Sequence, residues 1–343
     1  MKNLLKLLIL VLAVGIAVSG IGLASAAVTE DPLNNDQDVY AATSRSPGNS
    51  VLLYNLFGSS ATNIAAWDTK INIVNTHPTQ SVIVHFFFVS RDDSCRQADW
   101  MVELTPKQTY SFRASDFDPG TQGYIIAVAV GADGKPIDFD YLIGDEYYRR
   151  VIDPSNTYNG IMRAEGFQAV FTGDTVKTQL AQNGFLVFGY NYAPSLYKTM
   201  NIPNIPSRAS LDRTLEVINT ARNAGSSELS LTGLSGKFIG MVYDDAEQGQ
   251  SYEQSFGCQN GPTEISNTVP RLVPRFDSVI PAGRTGWLTL TNLDANSRVL
   301  GGAYIVYNQQ IGVNFFGANN MRGWGSITGQ FYMQNTDLFT QRW

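Results

Sequence analysis

Cysteine and histidine are scarce in this chain. Its 343 residues include only Cys95, Cys258, His77 and His85 from these two types. A structural zinc site takes four nitrogen or sulfur ligands, usually in closely spaced pairs, and no such pair or cluster is present. No serine lies in a G-x-S-x-G turn that could support a Ser-His-acid site. The sequence therefore argues against a zinc centre and gives no support to nucleophilic catalysis.

Basic residues are also few and scattered. The chain has 24 lysines and arginines against 30 aspartates and glutamates, for a formal net charge of −6. The only basic pair in the strand-rich part is Arg149-Arg150. Proteins that bind nucleic acid neutralise phosphates with a basic stripe or patch. Nucleic acid is therefore not expected as a partner.

Long apolar runs are absent after Leu23, where none approaches the roughly 20 residues of a membrane-spanning helix. Before that point, Lys2 and Lys6 precede an apolar stretch from Leu7 to Leu23, which Ala24-Ser25-Ala26 follows as a small-x-small site. This pattern predicts a signal peptide over residues 1–26, cleaved after Ala26 or Ala27. An uncleaved membrane anchor is the alternative. Either interpretation places the remaining chain outside the cytoplasm, in the extracellular medium, on the cell surface or in the periplasm.

The predicted export affects the expected redox state of the two cysteines. In an oxidising compartment an even pair of cysteines favours a disulfide, so we predict a bond between Cys95 and Cys258. Two unrelated buried thiols are the alternative.

Short apolar runs dominate the rest of the chain, and Gly, Pro, Asn and Asp separate them. They have strand lengths and are rich in β-branched and aromatic residues. The clearest are Val51 to Phe57, Lys70 to Val74, Ser81 to Val89, Thr109 to Phe112 and Gly123 to Val130. Only Gly160 to Val170 and Thr175 to Gln182 have a helical spacing, and both are short. The chain is predicted to be all-β.

Similar segments recur in the same order in both halves, which indicates a repeat. Ile73 to Thr76 corresponds to Val217 to Thr220, and Ile126 to Val130 corresponds to Ala303 to Tyr307. We therefore predict two tandem β-sandwich domains, Ig-like or jelly-roll-like, after the signal peptide. The predicted boundaries are 27–50 for a loosely ordered lead-in, 51–150 for the first sandwich, 151–206 for a connector, and 207–343 for the second sandwich with an insertion near 237–262.

Several segments together resemble a group of secreted bacterial β-sandwich proteins of unknown activity. They are Ile71 to Val89, Ser115 to Gly120, Gly123 to Val130, Tyr141 to Tyr147, Tyr243 to Glu247, Phe256 to Gln259 and Val279 to Trp287. The resemblance runs through most of the chain that follows the signal peptide. It implies export and a repeated β fold, and it implies no activity for any residue here.

Two strands suggest association with another molecule. Val82 to Val89 is apolar on both faces, whereas an ordinary sandwich strand has one polar face. Val51 to Phe57 is an apolar strand directly after a polar lead-in, and an exposed strand edge can add another chain. We take Val51, Leu53, Phe57 and Phe87 as candidate assembly residues.

Acidic turns offer oxygen ligands, so calcium is the metal that the sequence permits; no other cofactor is expected. The candidate ligands are Asp116, Asp118, Asp138, Asp140, Asp244, Asp245 and Glu247. A pair of carboxylates that hydrolyses a glycosidic bond needs only spatial proximity, which the sequence does not give. The acids that could supply such a pair are Asp92, Asp93, Asp138, Asp140, Asp145, Glu146, Asp244 and Asp245.

The sequence thus favours an exported structural or interaction protein of the cell envelope or an extracellular assembly. It would act by binding a protein partner, either another copy of itself or an envelope component. The alternative is a secreted protein that binds or hydrolyses carbohydrate, for which Trp287, Trp324 and Trp343 provide flat apolar rings. No reaction is assigned.

Overall fold

Strands account for most of the residues that the structure describes. The computed structural model describes residues 48–91, 97–134, 136–153, 156–169, 185–188, 192–193, 196–207, 212–222, 236–256, 259–265, 275–293, 297–310, 313–327 and 329–332. Within these ranges every strand pair except one is antiparallel. The prediction of an all-β chain is confirmed. None of the helices in the described ranges has the length and apolar character needed to cross a membrane.

Two sheets enclose the first apolar core. The four-stranded sheet has the order β5-β2-β7-β8, with β2 Trp67–Asn75, β5 Thr109–Arg113, β7 Leu142–Asp153 and β8 Asn156–Arg163. The eight-stranded sheet has the order β21-β10-β11-β9-β1-β6-β3-β4. Its strands are β1 Val51–Gly58, β3 Val82–Ser90, β4 Gln97–Leu104, β6 Gln122–Val130, β9 Glu165–Ala169, β10 Phe185–Phe188, β11 Tyr192–Ala193 and β21 Gly329–Tyr332.

A third sheet of nine strands holds the second core. Seven of its strands follow the order β15-β14-β17-β12-β18-β13-β16, while β19 pairs with β18 and β20 pairs with β12. The strands are β12 Leu196–Pro206, β13 Asp212–Arg222, β14 Gly236–Asp244, β15 Gly249–Phe256, β16 Gln259–Glu264, β17 Thr285–Asn292, β18 Ser297–Gln310, β19 Val313–Asn320 and β20 Arg322–Ile327. The helical segments are a 3₁₀ turn, Ala114–Asp116, and one α-helical turn, Phe276–Val279.

The four-stranded sheet is apolar on one face only. In β2, Ile71 and Ile73 are buried while Lys70 between them is exposed, and in β5 only Phe112 is buried. Residues of β2, β5 and β7 share one core with residues of β1, β3 and β6. This alternation follows from the two-residue period of a strand, which places every second side chain against the facing sheet.

The eight-stranded sheet is covered on both faces at its centre. Every residue of β1 and β6 is buried, and so is nearly every residue of β3. The four-stranded sheet covers one face, and β18 of the nine-stranded sheet approaches the other, where Gly301 lies against Leu53. The two-sided apolar pattern of Val82 to Val89 therefore reflects burial on both faces of the sheet within this chain.

Several predicted boundaries differ from the strands that the structure shows. Residues 151–206, predicted as a connector, include β8 to β12 and so contribute to all three sheets. Residues 237–262, predicted as an insertion, form most of β14, all of β15 and part of β16, inside the order of the nine-stranded sheet. The helical spacing over Gly160 to Val170 was misleading, because Gly160–Arg163 ends β8 and Glu165–Ala169 forms β9. The lead-in and Thr175 to Gln182 lie outside the described residues, apart from residues 48–50.

A bulge in β1 marks the point where the three sheets meet. Tyr54 pairs with Ile125 and Phe57 pairs with Gly123, so β1 has one residue more than β6 between these pairs. A bulge leaves backbone groups outside the regular ladder, and these groups need other partners when they are buried. Here the Leu56 N–H donates to Glu146 Oε1 at 3.1 Å, and the Asn55 N–H also bonds to the Glu146 carboxylate.

Glu146 is fully buried on β7, in the sheet that faces β1. Burial raises the pKa of Glu146 well above its usual range, although the two backbone hydrogen bonds from Leu56 and Asn55 oppose that rise. Loss of water disfavours the charged carboxylate more than these donors favour it. The side chain therefore serves as a buried acceptor that ties the four-stranded sheet to the bulge.

Amide side chains hold the bulge from its other side. The Asn55 carbonyl oxygen accepts from Asn219 Nδ2 at 2.9 Å and from Gln259 Nε2 at 3.1 Å. Asn219 lies on β13 and Gln259 on β16, and Gln259 Nε2 also donates to Asn219 Oδ1 at 2.8 Å. Asn55 Nδ2 donates to Glu165 Oε2 of β9 at 3.4 Å. These contacts join the nine-stranded sheet to the same bulge.

Gly301 of β18 makes room for this amide cluster. A Cβ atom at this position would overlap the carboxylate of Glu165, the side chain of Leu53 and the amide oxygen of Asn55. Close approach of two backbones is one reason for glycine inside a strand. Gly301 thus permits the nine-stranded sheet to approach the eight-stranded one at the bulge.

We predict that Glu146→Ala destabilises the fold strongly, whereas Glu146→Gln does not. Alanine removes the acceptor of two buried N–H groups and leaves a cavity, which should cost about 3 kcal/mol or more. Glutamine keeps an acceptor oxygen without the charge whose burial is unfavourable, so it should be at least as stable as the wild type at pH 7. Urea unfolding of the three proteins gives the free energies. Equal stability of the alanine and glutamine variants would contradict the role of Glu146.

Candidate functional site

The predicted assembly residues lie in the interior of the protein. Val51, Leu53, Phe57 and Phe87 are all buried. Strand β1 pairs with β6 along one edge and with β9 along the other, while β3 lies between β6 and β4. The edges at Val51, Leu53 and Phe87 are therefore already occupied, and Phe57, beyond the pairing with β9, is fully buried, so these residues offer no exposed strand edge to another molecule. An association hypothesis has to rest on a different strand.

The sheet ends are the places where a new strand could pair. The ends of the three strand orders are β4 and β21, β5 and β8, and β15 and β16, and β19 and β20 each pair with one strand of the nine-stranded sheet. Native edge strands are protected by charges, proline, bulges or shortness. Strand β21 has four residues and β5 has five, while β16 contains Pro262 and a register shift opposite β13. Strand β4 carries Asp99 and Glu103.

Strand β15 has few of these protections. It runs for eight residues, its register with β14 is regular, and it has no proline. Its single charged residue, Glu253, forms an ion pair with Lys237 of β14 at 2.5 Å. Ser251, Glu253 and Ser255 are exposed on one face, and Tyr252 packs on the other face over Gly240. This long, regular end strand is therefore a candidate for association.

The carboxylates of Asp244 and Asp245, in the β14–β15 turn, have partners within the protein. Asp244 Oδ1 accepts the backbone N–H of Ala246 at 3.0 Å and that of Gln248 at 2.8 Å. The guanidinium of Arg284 pairs with Asp245 and lies 3.8 Å from Asp244 Oδ2. Glu247 has a positive φ of 62° at the tip of this turn. An arginine thus occupies the place beside these carboxylates where a cation would sit.

The other predicted calcium ligands also have partners within the protein. Asp116 Oδ2 accepts the Arg113 N–H at 2.9 Å, and the Asp118 carbonyl accepts from the hydroxyls of Ser59 and Thr121. Asp138 is exposed and Asp140 is half-buried. In the part of the chain that the structure describes, no group of three or more His, Cys, Asp or Glu is placed to hold a metal ion.

Asp140 anchors the loop between β6 and β7. Its Oδ1 accepts the Ser50 hydroxyl at 2.7 Å and the Ala169 N–H at 2.9 Å. Ser50 Oγ in turn accepts the Phe139 N–H at 2.8 Å. Partial burial raises the pKa of Asp140 to about 6, with a smaller contribution from Asp138, while the hydrogen bonds from Ala169 and Ser50 lower it. Asp140 therefore titrates in the mildly acidic range.

The histidines have structural environments. His85 is fully buried, and its Nε2 lies 2.9 Å from Asp99 Oδ2. His77 Nδ1 accepts the backbone N–H groups of Thr79 and Gln80, and its ring packs on Tyr141. Both rings serve local packing in this arrangement.

The remaining candidates do not converge on one place. Asp145 and Glu146 are neighbours on β7 and point to opposite faces of the sheet, since Glu146 faces the core. Trp287 stacks on Tyr243 with ring centroids 4.0 Å apart, so one face of the indole ring is covered. Trp324 lies in β20. Cys95, Cys258, Asp92, Asp93 and Trp343 lie outside the described residues, and the disulfide stays a prediction.

Comparisons with known proteins assign no family. No protein-family model matches this chain, and no curated protein matches it. One solved structure, the crystal structure of Thermotoga maritima 1070, is similar with a TM-score of 0.27 and 11% sequence identity, over 35% of this chain and 95% of that one. A likeness at this level carries no argument about fold or function.

We predict that Asp140 makes the fold less stable as the pH rises from about 4 to about 6. The folded-state pKa of about 6 lies above the ordinary value of 3.8, so the folded protein binds more protons in this window. Stability should fall by roughly 2 kcal/mol across it, after allowance for partial solvent screening. Asp140→Asn should remove this part of the pH dependence, whereas Asp138→Asn should keep most of it. Urea unfolding at several pH values measures the difference; parallel curves for wild type and Asp140→Asn would refute it.

Proposed function

We propose that this protein is exported and acts by association with further copies of itself, in the cell envelope or in an extracellular assembly. We further propose that it consists of two tandem β-sandwich domains after a cleaved signal peptide. Two separate apolar cores support the tandem arrangement, one drawn from residues 52–164 and the other from residues 200–321. The resemblance to secreted bacterial β-sandwich proteins is in line with export.

The exposed end strand β15 carries the proposal of association. An end strand presents backbone N–H and C=O groups on its outer side, and a second chain can add to them as a further strand. Strand β15 is long, regular and almost uncharged, whereas β5 and β21 are short and β16 is interrupted. Strand addition is therefore less hindered at β15 than at β5, β16 or β21.

A second copy of β15 fits this edge in an antiparallel, twofold arrangement. In a twofold pair the same patch meets itself, so residue i faces residue j and j faces i. Centring the pair on Tyr252 places Gln250 opposite Gln254 and Ser251 opposite Glu253. Centring it one residue later would place Glu253 opposite Glu253, and like charges directly opposite are destabilising. Of these two registers, the one centred on Tyr252 is favoured, and it is the one we propose.

We predict that Ser251→Glu weakens self-association and that Ser251→Lys strengthens it. In the proposed register residue 251 faces Glu253 of the other copy, and the twofold axis produces this pair twice. A repulsive pair on each side should weaken association about tenfold, while an attractive pair should strengthen it. Ser255→Glu is the matched control, because residue 255 faces Gly249 and its charge meets no like charge. Light scattering over a range of concentrations measures the change in mass.

Two results would overturn this proposal. One is a wild-type mature protein that stays monomeric at high concentration. The other is an equal effect of Ser251→Glu and Ser255→Glu, which would show that added charge matters but the register does not. Because all three substitutions are at exposed serines, thermal unfolding should confirm that the variants remain folded.

Export has its own test. Expression of the full chain should give a mature protein that begins at Ala27 or Val28, because Ala24-Ser25-Ala26 matches the small-x-small requirement of signal peptidase. Intact mass of the protein from the periplasmic or extracellular fraction shows where cleavage occurs. A mass that includes residues 1–23 would instead indicate a membrane anchor.

A further inference from the structure

The outer face of the four-stranded sheet combines cations with exposed apolar side chains. Across the four strands, Arg113 of β5 lies opposite Lys70 of β2, Lys70 opposite Tyr147 of β7, and Tyr147 opposite Ile161 of β8. Arg149 follows two residues after Tyr147 on the same face. All five side chains are exposed. We call these five residues the basic face.

Two acidic residues, Asp68 and Asp145, lie on the same face of the sheet. Asp68 accepts the Ser115 hydroxyl at 2.7 Å and the Ser115 N–H at 3.2 Å, and it lies opposite Arg149 in the strand register. Asp145 accepts the amide of Asn72 at 2.6 Å and lies opposite Arg163 in the strand register. Lys70, Arg113 and Arg149 form no ion pair with any residue in the described ranges. In the described part of this chain of net charge −6, one sheet face thus presents three cations that form no ion pair, beside the carboxylates of Asp68 and Asp145.

This arrangement is unfavourable for the isolated protein. Like charges directly opposite in a sheet repel each other, and Lys70 and Arg113 form such a pair. Beside them, Ile161 is 66% exposed and Tyr147 is 36% exposed. A ligand that supplies negative charge and an apolar surface would relieve both features.

We propose that the basic face binds an acidic polysaccharide. The four strands are about 5 Å apart, so the face is roughly 15 Å wide, enough for several sugar rings in an extended chain. Arginine pairs with carboxylates through two parallel hydrogen bonds, and lysine adds a point charge. Tyr147 and Ile161 can contact the apolar face of a pyranose ring. Ser111, Asn72 and Asn159 provide hydrogen-bonding groups for hydroxyls on the same face.

Other polyanions fit this face less well. Proteins that bind single-stranded nucleic acid stack successive bases on several aromatic rings, and the basic face has only Tyr147. Proteins that bind anionic membranes combine cations with a broad apolar surface that enters the lipid, and Ile161 is a single aliphatic side chain on a flat sheet. The inference goes beyond self-association. It depends on the proposed function in one respect: export places the protein in the compartment where it would meet the polysaccharide.

The test compares two triple variants with the same change in charge. Lys70→Gln/Arg113→Gln/Arg149→Gln removes the cations of the basic face. Lys107→Gln/Arg275→Gln/Arg284→Gln removes three exposed cations elsewhere. The probe is polygalacturonate, with dextran as a neutral polymer, and binding is measured by calorimetry at low and at physiological salt. All proteins also carry Ser251→Glu, so that a change in self-association is not mistaken for a change in binding.

We expect the first triple variant to bind polygalacturonate at least tenfold more weakly, and the second to bind within twofold of the parent. Binding should weaken as salt rises, because the contacts are ionic. An equal loss in both triples would overturn the proposal, since it would show a general charge effect. So would the absence of binding by the parent protein, or equal or tighter binding of a single-stranded DNA oligonucleotide or of phosphatidylglycerol vesicles. Circular dichroism and thermal unfolding establish that each variant is folded.

Discussion

The bulge of β1 is the constraint on which the arrangement of the three sheets depends. One extra residue frees backbone groups in the most deeply buried strand, and buried backbone groups must find partners. The partners come from both sides. Glu146 reaches the bulge from the four-stranded sheet, and Asn219 and Gln259 reach it from the nine-stranded sheet. Loss of these contacts would leave donors and acceptors unsatisfied in the middle layer, so their geometry fixes where the outer sheets can sit.

The class of fold could be predicted from strand-length apolar runs, but the layering could not. Strands such as Val82 to Val89 have two apolar faces, which indicates that both faces are buried. The pattern does not say which other strands or molecules pack against them. The side chains that contact Asn55 lie 110, 164 and 204 positions from it along the chain, and the last two belong to another sheet. Asn55 is a polar residue inside an otherwise apolar run. It is the one local feature which indicates that this strand makes a buried polar contact. Neither its partners nor the membership of β9 to β11 in the eight-stranded sheet follows from local pattern.

The proposed association strand and the basic face also could not be predicted from local sequence. The assembly hypothesis was based on apolar strands, because an exposed strand edge can pair with another chain. In the structure, these strands are apolar because both of their faces are buried. The strand proposed for association, β15, is polar, with the sequence Gly-Gln-Ser-Tyr-Glu-Gln-Ser-Phe. Its accessibility comes from its position at the end of the nine-stranded sheet. Likewise, Lys70, Arg113 and Arg149 are far apart in sequence, and only strand register brings them to one face.

The two proposed surfaces occupy different sheets and therefore do not compete. Strand β15 ends the nine-stranded sheet, and the basic face is the outer side of the four-stranded one. Pairing through β15 would leave the basic face of each copy uncovered by that contact. A dimer would then present two faces to one polymer, and a second binding event on the same chain occurs at a high effective concentration. Individually weak ionic contacts, which physiological salt screens, would in this way hold an assembly on an acidic polysaccharide.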